Sequence, residues 1–205
     1  MNPFIRTMEA RDLPFIVRVH LASFRGFFLT FLGPAFLLEL YSGILADPSG
    51  IAFVAQDDGQ IVGFVAGASE SAGLYSRLLR HRWWRFALVS LAPVLRNPRI
   101  VPRLLRAIKK PKLERAAGNE GTLMSIAVLP EKQGRGIGQA LVQAFLAEAI
   151  RRGLSKVNLT TDKVDNDAVN LFYQRLGFVC VRHFTTPEGR PMNEYEIALP
   201  PKGKQ

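Results

Sequence analysis

The run Pro130-Glu131-Lys132-Gln133-Gly134-Arg135-Gly136-Ile137-Gly138 carries the most readable chemistry in this chain. It lies between an apolar, strand-like segment at 123–128 and an amphipathic stretch at 139–152. Glycine admits positive φ and lets a ligand approach the main chain closely. Bare N–H groups at a helix start, reinforced by the helix dipole, form a seat for an anion. The residue types point to a phosphate or pyrophosphate seat; the competing reading is a glycine-rich turn that only ends a strand. Two familiar phosphate loops do not fit. Gly138 is followed by Gln139-Ala140, not by lysine and a hydroxyl residue, so the NTPase loop is excluded. A dinucleotide fold places its glycines after the first strand of a βαβ unit, with an acid about 20 residues on. Here the glycines come late, and the window 155–159 holds no acid.

The order Val128, Pro130, Gln133, Gly134, Gly136, Ile137, Gly138 resembles the acetyl-CoA-binding motif of the GNAT N-acetyltransferases. Downstream, Asn166, Val169, Tyr173, Gly177 and Phe178 resemble that family's Asn…Ala…Tyr-x-x-x-Gly-Phe segment. The resemblance implies acetyl-CoA, or CoA, as co-substrate. It implies that backbone N–H groups of Gln133, Gly134, Arg135, Gly136, Ile137 and Gly138 hold the pyrophosphate, with a charge contact from Arg135. Ile126, Ala127 and Val128 would splay from the neighbouring strand and pair with the pantetheine arm, the N–H of Val128 serving as oxyanion donor. Asn166 matches a position that hydrogen-bonds the cofactor; from the residues alone it reads as a helix N-cap before Asp167. Tyr173 matches the general acid for the departing thiolate; from the residues alone Phe172-Tyr173 is a core aromatic pair. No metal site is expected.

The general base is not legible. Where some relatives carry a carboxylate, this chain has Ser125 and Thr160. Glu70, Glu120 and Asp162 are the nearest acids, and His20 or His81 could approach from the helices. A base acting through water, or an amine that arrives neutral, stays open. The reaction implied is N-acetylation of a primary amine on a small molecule, such as an amino sugar or a phosphate-bearing acceptor. The alternatives are acetylation of a protein N-terminus or lysine, and a non-catalytic acyl-CoA-binding module. The charge suits nucleic acid, but no recognition motif for it is visible.

That charge is unevenly spread. The net charge is +10, and residues 74–115 hold nine Arg, three Lys and one Glu, so the remainder is close to neutral. A cationic block of this kind faces an anionic partner or surface. The readings are an anionic acceptor, a peripheral membrane contact through 74–115, or a helical flap with a solvated basic face. Cys180 is the single cysteine, which rules out an internal disulfide and suggests a buried core residue. No signal pattern opens the chain, and the longest apolar run, 26–38, is too short to span a bilayer. A cytoplasmic protein is expected, and a homodimer is compatible with the sequence.

These residues need elements to hold them. Strands are expected at 4–8, 51–56, 61–67, 123–128, 156–161, 179–184 and 194–199. Helices are expected from 13, with Asp12 as N-cap, across 26–45 with a break at Gly33-Pro34, and over 139–152 and 167–176. Hairpins mixed with a β-loop-α-β unit make an α/β mixed sheet with helices on both faces. The expected fold is therefore GNAT-like, one domain over 1–205. A basic insertion of two or three helices, at about 70–120, would separate the third and fourth strands.

Overall fold

The computed structural model describes residues 3–24, 26–96 and 119–201. Seven strands form one sheet in the order β1-β2-β3-β4-β5-β7-β6. They are β1 Phe4–Thr7, β2 Gly50–Asp57, β3 Gln60–Ala68, β4 Glu120–Val128, β5 Lys156–Asp162, β6 Val179–Thr185 and β7 Pro191–Ala198. Every neighbouring pair is antiparallel except β4 and β5. Those two pair in parallel through Glu120–Lys156, Gly121–Val157 and Thr122–Asn158, and part beyond. Their C-terminal halves thus open a wedge in the middle of the sheet. A mixed sheet with a parallel split beside a glycine loop is the GNAT-like fold that the motif order implied.

Helices cover both faces. On one lie α1 Leu13–Ser23, α3 Gly33–Ala46 and α4 Ser71–Arg96, with the short α2 Phe28–Phe31 against the start of α3. On the other lie α5 Ile137–Arg151 and α6 Asp167–Arg175. β3 is buried at every position after Gln60, because helices press on it from both sides. Its Gly67 has a structural reason: a Cβ there would lie 2.1 Å from the Thr122 carbonyl oxygen and 2.9 Å from the Phe145 ring. Only a residue without a side chain lets β3, β4 and α5 meet at that height. In α5, Ile137, Leu141, Phe145 and Ala149 repeat on one face, and all are buried.

Two expectations are corrected. Asp12 precedes α1 but does not cap it with its side chain. Its carboxylate instead grips the Arg6 guanidinium with two bonds of 2.7 Å and accepts the Glu9 N–H at 2.8 Å, because a charged partner outcompetes a lone amide. Cys180 is half-buried rather than fully enclosed. The first part of the expected insertion is one helix, the 26-residue α4, which runs through Pro93 without ending. The second amphipathic stretch, with Arg99, Arg103 and Arg106, lies outside the described residues.

Candidate active site

The end of β4 is shaped by a β-bulge. Its register with β3 slips between Ala66 and Gly67, leaving Met124 without an opposite residue. Consequently Met124 and Ser125 both point to the α1–α3 face. Beyond the bulge, the Leu129 N–H donates to the Val62 carbonyl at 2.8 Å, which makes that pair a hydrogen-bonded one. By the alternation of an antiparallel ladder, the main-chain groups of Ile126 and Val128 turn away from β3 and into the wedge. The Val128 carbonyl accepts bonds from Ser23 Oγ and Gln133 Nε2, both at 3.2 Å. Its N–H is left facing the opening. Ala127 turns its main chain to β3 and its side chain into the core.

The glycine loop follows directly. A 3-10 turn at Pro130–Lys132 leads to Gln133, whose N–H donates to the Pro130 carbonyl at 3.3 Å. Gln133 therefore contributes its side chain, as a brace under Val128, rather than a free N–H. Gly134 and Gly136 take φ of 74° and 77°, the left-handed region that suits glycine. The first helical bond of α5 runs from the Ala140 N–H to the Gly136 carbonyl. The N–H groups of residues 134–139 donate to no acceptor among the described residues. A Cβ on Gly134 or Gly136 would meet nothing within 4 Å, so the outer side of the cradle is open. Arg135 is exposed between them. Lys132 Nζ meets Asp57 Oδ2 at 2.6 Å and pins the loop to the β2–β3 hairpin. Gly138 lets the Phe172 ring approach to 3.4 Å from where its Cβ would be, which draws α6 against the loop. The open N–H groups, the helix dipole and the glycine conformations all fit a pyrophosphate.

Tyr173 sits on α6, 5% exposed, edge-on to Phe172 and Phe178 and tilted against Tyr195. Its hydroxyl has no hydrogen-bond partner among the described residues, and burial raises the phenol pKa above its usual value. Asn166 occupies the N-cap position of α6 without making the cap bond. Its amide donates to Thr161 Oγ1 at 2.8 Å and to the Asp162 carbonyl at 3.0 Å, which ties α6 to the end of β5. Sequence reasoning missed Asn170. Its Nδ2 donates to the Asp162 and Asn166 carbonyls, and its Oδ1 accepts from Asn193 Nδ2 at 2.9 Å and the Tyr195 hydroxyl at 3.0 Å. This buried amide locks α6, β5 and β7 together. The spacing Asn166, Asn170, Tyr173 on one helix face was the available signal.

The profile of the acetyltransferase (GNAT) family matches residues 16–178. The chain belongs to the GNAT acetyltransferase family. Its members use acetyl-CoA as the acetyl donor. N-alpha-acetyltransferase 30 of Schizosaccharomyces pombe is 34% identical over 102 residues, 50% of this chain and 63% of that protein. Mycothiol acetyltransferase of Thermobispora bispora is 43% identical over 65 residues, 32% of this chain and 22% of that protein. The chain thus spans less than two thirds of the length of either relative. Among solved structures, SsHAT superposes with a TM-score of 0.68 at 21% identity, covering 97% of this chain and 98% of that one. The PaiA N-acetyltransferase of Thermoplasma acidophilum, solved in complex with coenzyme A, gives a TM-score of 0.58 at 14% identity, covering 95% and 98%.

On the α1–α3 side of this GNAT sheet, a buried chain of side chains ends at the bulge. His20 Nδ1 lies 2.7 Å from the Tyr41 hydroxyl, which lies 3.0 Å from Ser125 Oγ. His20 Nε2 is buried without a partner among the described residues. Burial pulls the His20 pKa down to about 4. The row of contacts ties Ser125 at the bulge to α3 through Tyr41 and to α1 through His20. The three candidate acids are all paired: Glu70 with Arg77 at 3.2 Å, Glu120 with Lys156 at 3.0 Å and Asp162 with Arg190 at 2.6 Å. Thr160 is exposed, and His81 lines a separate hollow with Gly43 and Arg77. Arg190 also lies 5.3 Å from the centre of the Phe27 ring. That contact joins the segment after α1 to the β6–β7 turn, which the Arg190–Asp162 pair ties in turn to the end of β5.

Proposed function

We propose that the protein is an acetyl-CoA-dependent N-acetyltransferase that acetylates the primary amine of a small molecule. The observation that carries this reading is the row of unengaged N–H groups at 134–139 beside a wedge into which Ile126 and Val128 turn their main chains. The pyrophosphate rests on the cradle, and the pantetheine arm adds to the free edge of β4 as a further strand would. The Val128 N–H then meets the thioester oxygen as negative charge develops there. The neutral amine nitrogen attacks the carbonyl carbon to form the C–N bond, the C–S bond breaks, the sulfur leaves as a thiolate, and the proton the nitrogen still carries passes through solvent to that thiolate. Tyr173 donates a hydrogen bond to that sulfur. A phenol with a raised pKa stays a donor throughout the working range, since a thiol titrates near about 8.5.

The acceptor amine gives its proton to solvent before attack, because the nearby acids are ion-paired and His20 resists protonation. The Phe27–Arg190 contact supports an enclosed acceptor site, which suits a small molecule better than an extended peptide. The basic excess of 74–115 supports an acceptor bearing phosphate. The match to an N-alpha-acetyltransferase over half the chain favours a second reading, in which the amine is a protein N-terminus. Thiol release from acetyl-CoA, followed across small amines, amino sugars, phosphorylated amines and short peptides, separates the two. Tight CoA binding without turnover on any amine would replace both with a binding module.

A further inference from the structure

We propose that the outer face of α4 docks the protein onto an anionic lipid surface. α4 carries two apolar stripes. The inner one, with Leu74, Leu78, Phe86 and Val89, packs against the α1–α3 face of the core and against Leu32 and Phe36. The outer one is Trp84, Leu88, Leu91 and Leu95, spaced i, i+4, i+7, i+11, with Trp83 beside it. These five side chains are between 48% and 74% exposed. The stripe runs about 16 Å along the helix axis. An exposed apolar stripe of that length on a protein surface marks a contact.

Charge selects the partner. α4 contains Arg77, Arg80, Arg82, Arg85 and Arg96 and no acid. The acids that reach it from elsewhere are already taken: Asp47 and Glu70 by Arg77, and Glu39 by Arg82 and Arg85. Arg80 is exposed and has no ion pair among the described residues. The Arg85 guanidinium lies 5.2 Å from the Trp84 ring, at the edge of the stripe. A second copy would bring the same arginines face to face, which opposes pairing. An anionic bilayer answers both features, with Trp and Leu entering the headgroup boundary and arginines meeting phosphate. No described helix is long and apolar enough to cross a membrane, so α4 would lie on the surface.

The protein has two tryptophans, Trp83 and Trp84, so tryptophan emission excited selectively over its four tyrosines reports this face. Vesicles of phosphatidylglycerol in phosphatidylcholine should shift that emission to the blue and co-sediment the protein. Partitioning should exceed that to pure phosphatidylcholine by about tenfold or more, and added salt should reverse it. A Leu88→Glu, Leu91→Glu double variant should lose vesicle binding while keeping its circular dichroism and CoA affinity. Arg80→Glu should weaken it. Should the double variant misfold, quenching of the wild-type tryptophans by brominated lipid keeps the test decisive. Emission that is unchanged by anionic vesicles overturns the proposal. So does binding that the folded double variant retains, or self-association that the same variant abolishes.

Discussion

Tyr173 and His20 show how burial sets the chemistry of single side chains. The Tyr173 ring is enclosed by Phe172, Phe178 and Tyr195, so replacing it with phenylalanine keeps the packing and removes only the donor. Tyr173→Phe should lower kcat by about 10²-fold or more while leaving acetyl-CoA affinity unchanged by calorimetry. Wild-type kcat in that variant would return Tyr173 to packing alone. His20 makes a stability prediction with a definite sign. Its folded pKa, about 4, lies below the ordinary histidine value of 6.5. Between those values the unfolded chain binds more protons, so stability falls as pH falls from 6.5 towards 4. Asp47, held by Arg77 and Ser49, and Glu148, held by Arg151 and Arg152, have pKa values pulled down to about 2. Their contribution is complete above the ordinary carboxylate range and is lost as pH falls from that range towards about 2. Urea melts of His20→Asn should therefore lose the limb between pH 6.5 and 4 and keep the steeper acid limb below it.

At the scale of elements, the loop between β4 and α5 works through conformation more than through side chains. Gly136 holds φ of 77° as the N-cap of α5, with open space where a Cβ would go. A β-branched residue is strained there, whereas asparagine tolerates the left-handed region. Gly136→Val should lose CoA binding together with some stability. Gly136→Asn should keep most of the stability and still bind CoA at least about tenfold more weakly, because its side chain stands over the open N–H groups. Equal CoA affinity in a folded Gly136→Asn variant would remove the cradle from the binding site. The helix behind the loop is held by its core face. Phe145→Ala, at a side chain with no solvent exposure, should cost about 3–5 kcal/mol in chemical denaturation.

At the scale of the molecule, the wedge, the ion pairs and the neutral histidine together set a pH dependence for turnover. With no group among the described residues placed to take the amine's proton, kcat/KM should climb with pH until the acceptor's own amine is neutral. The break should fall near about 8 for a protein N-terminus and near about 10 for an aliphatic amine. A plateau well below the acceptor's pKa would reveal a base in the protein. The same profile thus tests the mechanism and separates the two acceptor classes.

Spacing along the chain carried the local facts. Val128 to Gly138, with Asn166 and Tyr173, was enough for the family, because a cradle of N–H groups at a helix start is a local structure. Alternation and glycine punctuation likewise placed the strands and the Asp58-Gly59 turn, where both residues take positive φ. What depends on distant partners was not legible. Asp12 reads as a cap until β1 brings Arg6 beside it. The parting of β4 from β5 after Thr122 sits beside the bulge at Met124 and involves two strands far apart in sequence, which no single segment encodes. Asn170 becomes a lock only when β7 supplies Asn193 and Tyr195. Trp83 and Trp84 fit a core or a surface equally by composition, and only the packing of the other side of α4 on α3 and Phe36 leaves them outside. Periodicity tells which residues share a face; tertiary structure alone decides which face is buried, because burial is a property of what packs against it.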